Sequence, residues 1–165
     1  MTQQVHPMLP KESDAEKSRG RFVQALKTHI AGRVTPGVRE LYEHRAAPEW
    51  EREHGEAPQN RHEVRQSLGQ MAYYRLWSSL RRTSQHLLWS TVADCVERQA
   101  TELREAARVE DPRGSLQLDP NLELPWYQWD VDIHAMPGGY RGEYGDNDVS
   151  VGALYDRGVY LYAMG

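Results

Sequence analysis

The sequence predicts a mainly α fold, a helical bundle-like domain with a short extended or α+β C-terminal appendage, and three observations lead there. Apolar residues recur every three or four positions over most of residues 13–109. Two capping-box spacings, Ser13 with Glu16 and Asn60 with Glu63, mark helix starts ahead of such runs. After residue 115 the composition changes: residues 122–165 hold 8 of the 15 aromatic residues and seven of the 13 glycines. The expected organisation is a flexible arm over 1–12, a helical domain over 13–115, and an aromatic- and glycine-rich segment over 116–165 that packs on the helices.

The elements follow in order. Phe22, Val23, Leu26 and Ile30 carry the first helix, over about 13–31, which is expected to end near Gly32. Thr35-Pro36 restarts a helix over about 36–45, threonine as cap and proline in the first turn, where no amide bond is needed. Residues 46–59 carry two prolines, a glycine and many charges, and read as a loop or short helical turn anchored by Trp50. The strongest helical signal, from Val64 to Ala107, reads as two helices, about 61–81 and 85–109. They meet at a break near 82–84, with Ser84 as the second cap. One long helix is the alternative, because no proline or glycine forces the break. Asp111-Pro112-Arg113-Gly114 is a stop. Trp126–His134 reads as a strand, 135–148 as turns and loop, and the last stretch as a helix beginning near Asp148, which could cap it.

Charge and cysteine content exclude several functions. The net charge is −4, unevenly spread: 18 basic against 16 acidic groups in residues 1–115, and 2 against 8 in 116–165. No polybasic stripe suited to phosphate neutralisation is present, so nucleic acid is not expected as a partner. Apolar runs are only a few residues long, too short to span a bilayer, and the N-terminus lacks the apolar core of a secretory signal. Cys95 is the single cysteine, which rules out an intramolecular disulfide and a cysteine-based zinc cluster. It reads as an inert thiol on an apolar helix face. These features predict a cytoplasmic protein.

The segment around Asp130, Asp132 and His134 offers the clearest chemistry. On a strand, period two places all three on one face, with Val131 and Ile133 toward the core. Two carboxylates beside an imidazole could contact substrate, exchange protons or bind a metal, or simply form the polar face of a half-buried strand. The outer two alpha carbons would lie roughly 13 Å apart, which disfavours a single ion. His134 is the candidate base and Asp132 its partner, roughly 7 Å away along the strand. Met136-Pro137-Gly138-Gly139-Tyr140 is a tight-turn sequence whose amides could receive an anion. Tyr73, Tyr74, Trp77 and Trp89 on the central helices suit core packing, an apolar ligand pocket or a partner interface. His29, His44, His54 and His62 show no metal-ligand spacing, and His86 reads as a helix-surface residue.

The stretches WYQWDVDIHAMPGGY and DVSVGALYDRGVYLYAMG resemble the region upstream of the catalytic domain in a group of bacterial class I S-adenosylmethionine-dependent methyltransferases. The resemblance is best over residues 122–165. It implies a helical lid or substrate-binding portion preceding a Rossmann-like domain that carries the cofactor's glycine-rich turn. No GxGxxG lies in this sequence, so no cofactor-binding residue can be assigned and no cofactor is expected in this chain itself. S-adenosylmethionine is expected only with a separate or downstream catalytic domain. The resulting expectation is an accessory substrate-recognition domain, inactive alone. Its substrate contacts come from Tyr73, Tyr74, Trp77, Asp130, His134 and Tyr140. Two alternatives stand beside it: an independent small-molecule-binding protein or small acid-base enzyme using Asp130, Asp132 and His134, and a structural or dimerisation module. Expected partners are a small-molecule ligand, a catalytic methyltransferase domain, and a second copy of the chain covering apolar surface near residue 165.

Overall fold

The computed structural model describes residues 8–111, 113–115, 117–127, 134–137 and 148–163. The fold is mainly α and bundle-like, and the described residues contain no β-strand. The chain divides into two compact units, one of Met1–Gly20 with Leu88–Ala163, the other of Arg21–Leu87 with Met164–Gly165. The first helix, α1 (Asp14–His29), and the long helix α5 (Ala72–Glu97) contribute residues to both.

In the second unit α1 does not stop at Gly32. It passes into a π-helical segment, π1 (Ile30–Val34), then α2 (Thr35–Leu41), a second π segment, π2 (Tyr42–Ala46), and α3 (Ala47–His54). Thr35 is therefore no N-cap. Its amide closes the wide π turn on the Ile30 carbonyl, and its hydroxyl donates to the same oxygen at 2.9 Å. Proline still sits in the first turn of α2, as its fixed φ favours. Most of the expected 46–59 loop is α3. Its proline falls in the first turn and Gly55 ends it at φ 85°, a left-handed value that suits glycine. Trp50 stacks on His54 within this helix, with ring centroids 3.8 Å apart.

The cap at Asn60 forms as read. Its side chain accepts from the amides of His62 and Glu63, and Glu63 accepts from the Gln59 amide and the Asn60 side chain. Such a cap contributes about 1 kcal/mol. It starts α4 (Arg61–Gly69), and the break comes at Gln70-Met71, not at 82–84. From Ala72 the helix runs unbroken to Glu97, so Ser84 is not a cap. It is buried mid-helix, and its hydroxyl donates to the Arg81 carbonyl. That bond satisfies the polar group inside the helix and removes the need for a chain break. Val23, Ile30, Ala46 and Leu68 form the buried apolar set of this unit.

The first unit has the larger core. Leu88, Val92, Cys95 and Val96 fall on one stripe of α5 and are almost wholly buried. Leu103 adds to it from α6 (Ala100–Ala106), as do Ala153, Leu154 and Leu161 from α7 (Ser150–Ala163). The Ser150 amide donates to the Asp148 carboxylate at 2.8 Å, as expected of that start. The other face of α7 exposes Tyr155, Val159 and Tyr162.

Residues 8–12 are tied down, unlike a flexible arm. Pro10 is buried, the Lys11 amide donates to the Gln99 side chain, and the Lys11 carbonyl accepts from Arg98 and Gln99. The capping box at Ser13 is complete, with the Ser13 amide on Glu16 at 2.7 Å and the Glu16 amide on the Ser13 hydroxyl at 3.3 Å. The Glu16 carboxylate, almost buried, also takes two bonds from Arg98, at 2.6 and 3.3 Å. Arg98 above all, with the Ser13 bonds helping and burial opposing, holds the Glu16 carboxyl down at about 2. A carboxyl whose folded value is depressed stabilises the fold above its ordinary value of 4.5, and that contribution is lost as pH falls toward 2. Acid unfolding followed by circular dichroism is expected to show this loss between about pH 4.5 and 2. Glu16→Gln is expected to be less stable at neutral pH and to show a flatter profile across that window; identical profiles would mean the carboxylate is not linked to folding.

Candidate functional site

Two side chains of α5 meet the π1–α2 junction. Tyr73 donates its hydroxyl proton to the Val34 carbonyl at 2.8 Å, and one turn on the Trp77 indole donates to the Thr35 hydroxyl at 3.0 Å. A π turn carries its hydrogen bonds one residue further than an α turn, which disturbs the regular ladder and offers carbonyls to outside donors. Tyr73 fits only because residue 37 is glycine: a Cβ there would lie 2.5 Å from its hydroxyl and 2.8 Å from its ring carbon. Tyr74 packs on Trp77, with ring centroids 5.4 Å apart, and Arg81 lies over the Trp77 ring at 5.1 Å. Burial, reinforced by the charge of Arg81, pushes the Lys27 amine down, while Lys27 reaches Gln85 at 3.4 Å.

Beside this junction lies a groove of about 640 Å³, widely open to solvent. Its wall is one face of the helical run: Arg33 from π1, Pro36, Gly37, Glu40 and Leu41 from α2, and His44 and Arg45 from π2, with Tyr73 opposite. Arg33, Glu40, His44 and Arg45 are solvent-exposed. The groove thus pairs an aromatic hydroxyl and an apolar floor with two guanidinium groups, a carboxylate and an imidazole. Such a set can bind and orient a polar molecule. Among the described residues no group of three or more His, Cys, Asp or Glu is placed to hold a metal ion.

Of the residues singled out from the sequence, Tyr73 lines the groove, and Trp77 and Tyr74 brace it from behind. His134 belongs to the other unit. Its side chain is exposed, and its backbone carbonyl accepts from the buried Trp89 indole at 2.6 Å. Ala135 follows at φ 54°, with its side chain and that of Met136 buried. Asp130, Asp132 and Tyr140 lie outside the described residues, as does most of the expected strand. Its first two residues depart from that expectation, Trp126 being in a turn and Tyr127 helical. Cys95 is the buried thiol the sequence suggested: burial, with the Glu16 carboxylate adding to it, pushes its pKa up, away from a reactive thiolate. His86 is on the helix surface, accepting from Arg82 at 2.8 Å.

Arg33, Gly37, Glu40 and Arg45 were not singled out from the sequence, and His44 was weighed only as a metal ligand. Treating 32–35 as a helix break separated Arg33 from the other four, which fell together on the expected helix over 36–45. The one available signal was their spacing on a single uninterrupted helix. Comparison of the chain with protein-family models, with curated proteins and with solved structures gave no match.

Proposed function

We propose that this chain is a substrate-recognition module that binds a small molecule in the groove between Arg33 and His44. The transfer chemistry would be supplied by a methyltransferase catalytic domain, as the resemblance of residues 122–165 implies. The observation that carries the recognition role is the groove itself: an open groove of about 640 Å³ lined by Arg33, Glu40, His44 and Tyr73, at two π segments. π turns interrupt the regular helix at some cost in hydrogen-bond geometry and are found frequently at functional sites. Tyr73 acts as the aromatic contact, with Trp77 and Tyr74 holding the junction behind it. Asp130, Asp132, His134 and Tyr140 belong to the other unit; they are proposed as substrate contacts of the protein, with Asp132 the partner of His134, and are assigned no place in this groove. A cytoplasmic location belongs to the same proposal; no helix among the described residues is long and apolar enough to cross a membrane.

The test is a metabolite screen of the 165-residue chain by amide chemical-shift mapping, with S-adenosylmethionine in the panel. Hits are expected to move the amides of residues 33–45 and Tyr73. S-adenosylmethionine is expected to show no stoichiometric micromolar binding, because the sequence has no GxGxxG turn to bring backbone amides against it. Hits that map away from residues 33–45 would dismiss the groove. Tight binding of the cofactor would overturn the assignment of chemistry to a separate domain.

A further inference from the structure

Arg33, Gly37, Glu40 and His44 are spaced i, i+4, i+7 and i+11, and all four line the groove, so they form one stripe along the helical run. The stripe has a guanidinium at one end and a carboxylate two turns on, about 10 Å along the axis. Helical side chains neutralise each other at three or four residues' separation, not at seven. Among the described residues neither Arg33 nor Glu40 forms an ion pair. Arg45 differs, since Glu49 holds its guanidinium at 3.0 Å. Between the two charges Gly37 is covered by the Tyr73 side chain. The Tyr73 hydroxyl there already donates to Val34 and has only lone pairs left to offer.

From this charge order we infer that the groove takes a small zwitterion, a molecule with a carboxylate for Arg33 and an ammonium for Glu40, joined by a spacer that runs along the Tyr73 side chain. The two groups would complete two charges that the fold leaves without ion-pair partners. This inference rests on the reading of the groove as the ligand site and specifies its ligand class.

Three probes of equal chain length test it: 6-aminohexanoate, hexanoate and hexylamine, each titrated into the 165-residue chain and followed by amide shifts. Both charges are solvent-exposed, so 6-aminohexanoate is expected to bind about two- to fivefold more tightly than either single-ended probe. Arg33→Ala is expected to reduce its affinity to the level of hexylamine, and Glu40→Gln to the level of hexanoate. Unchanged amide shifts at Asn60–Glu63 would show that both variants remain folded. Hexanoate or hexylamine binding as tightly as 6-aminohexanoate overturns the zwitterion class and leaves the groove as a ligand site. Affinity for 6-aminohexanoate that survives both substitutions overturns the placement of its two ends. Silence with all three probes overturns the class, and the metabolite screen then decides independently whether the groove binds anything.

Discussion

Replacing Glu12 with alanine is expected to destabilise the fold by about 3–5 kcal/mol, the cost of leaving a buried charge uncompensated. Arg157 on α7 is the charge concerned. Its side chain is 8% exposed, and it pairs with Glu12, itself 15% exposed. The Tyr160 ring covers the guanidinium at 4.7 Å, and the Arg157 Nε has no hydrogen-bond partner of its own. Among the described residues Glu12 is the principal group answering that charge, and removing it leaves the guanidinium there with the cation–π contact. For a chain of this size the melting temperature should fall on the order of 10 °C. Replacing both partners, as in Glu12→Leu with Arg157→Leu, should recover much of the loss, because paired apolar groups carry no desolvation penalty. Thermal and urea unfolding of the single and double variants measure both effects. A loss below about 1 kcal/mol in the Glu12 variant would place the pair among solvated surface bridges.

The second large effect is expected at Gly158. Alanine at an ordinary helix-interior glycine gains about 1 kcal/mol. At Gly158 the sign should reverse. A Cβ there would come 2.7 Å from Cη2 of Trp89 and closer still to Cζ3. The ring has little room to retreat, since Trp89 is buried and its indole donates to the His134 carbonyl at 2.6 Å. Overpacking of this kind costs about 1–3 kcal/mol. Gly152, two turns earlier on α7 with nothing within 4 Å of its Cβ position, provides the internal control, and Gly152→Ala should stabilise. Chemical denaturation of the two alanine variants reads opposite signs. Equal and favourable effects would mean the tryptophan yields.

Helix starts were legible because each is a local hydrogen-bonding decision. Ser13 with Glu16, Asn60 with Glu63, and Asp148 sit within a few residues of the amides they satisfy. Interruptions were not legible by the same logic. Gly32 and Thr35-Pro36 resemble a stop and a restart, yet a π segment absorbs them without leaving the helix. Ser84 resembles a cap, but its hydroxyl is satisfied within its own helix, and the actual break falls at Gln70-Met71, directly after Gly69 at the end of α4. The candidate groove was legible only at Tyr73. Its other members depend on helical phase carried across two π turns and on a glycine that makes room for a tyrosine 36 positions away in sequence. No local pattern encodes either relation.

The π segments also bear on how a sequence of this kind can change length. A π turn holds one residue more than the α turn it replaces, so losing one residue from 30–34 or 42–46 can close the ladder into plain α-helix. The flanking helices then keep their side-chain phase. The same loss inside α2 would rotate every later position by about 100° relative to the earlier ones. Among relatives of this chain, single-residue gaps should therefore collect in these two five-residue windows, and an alignment that places one between Thr35 and Leu41 would be describing a protein with a different wall to its groove.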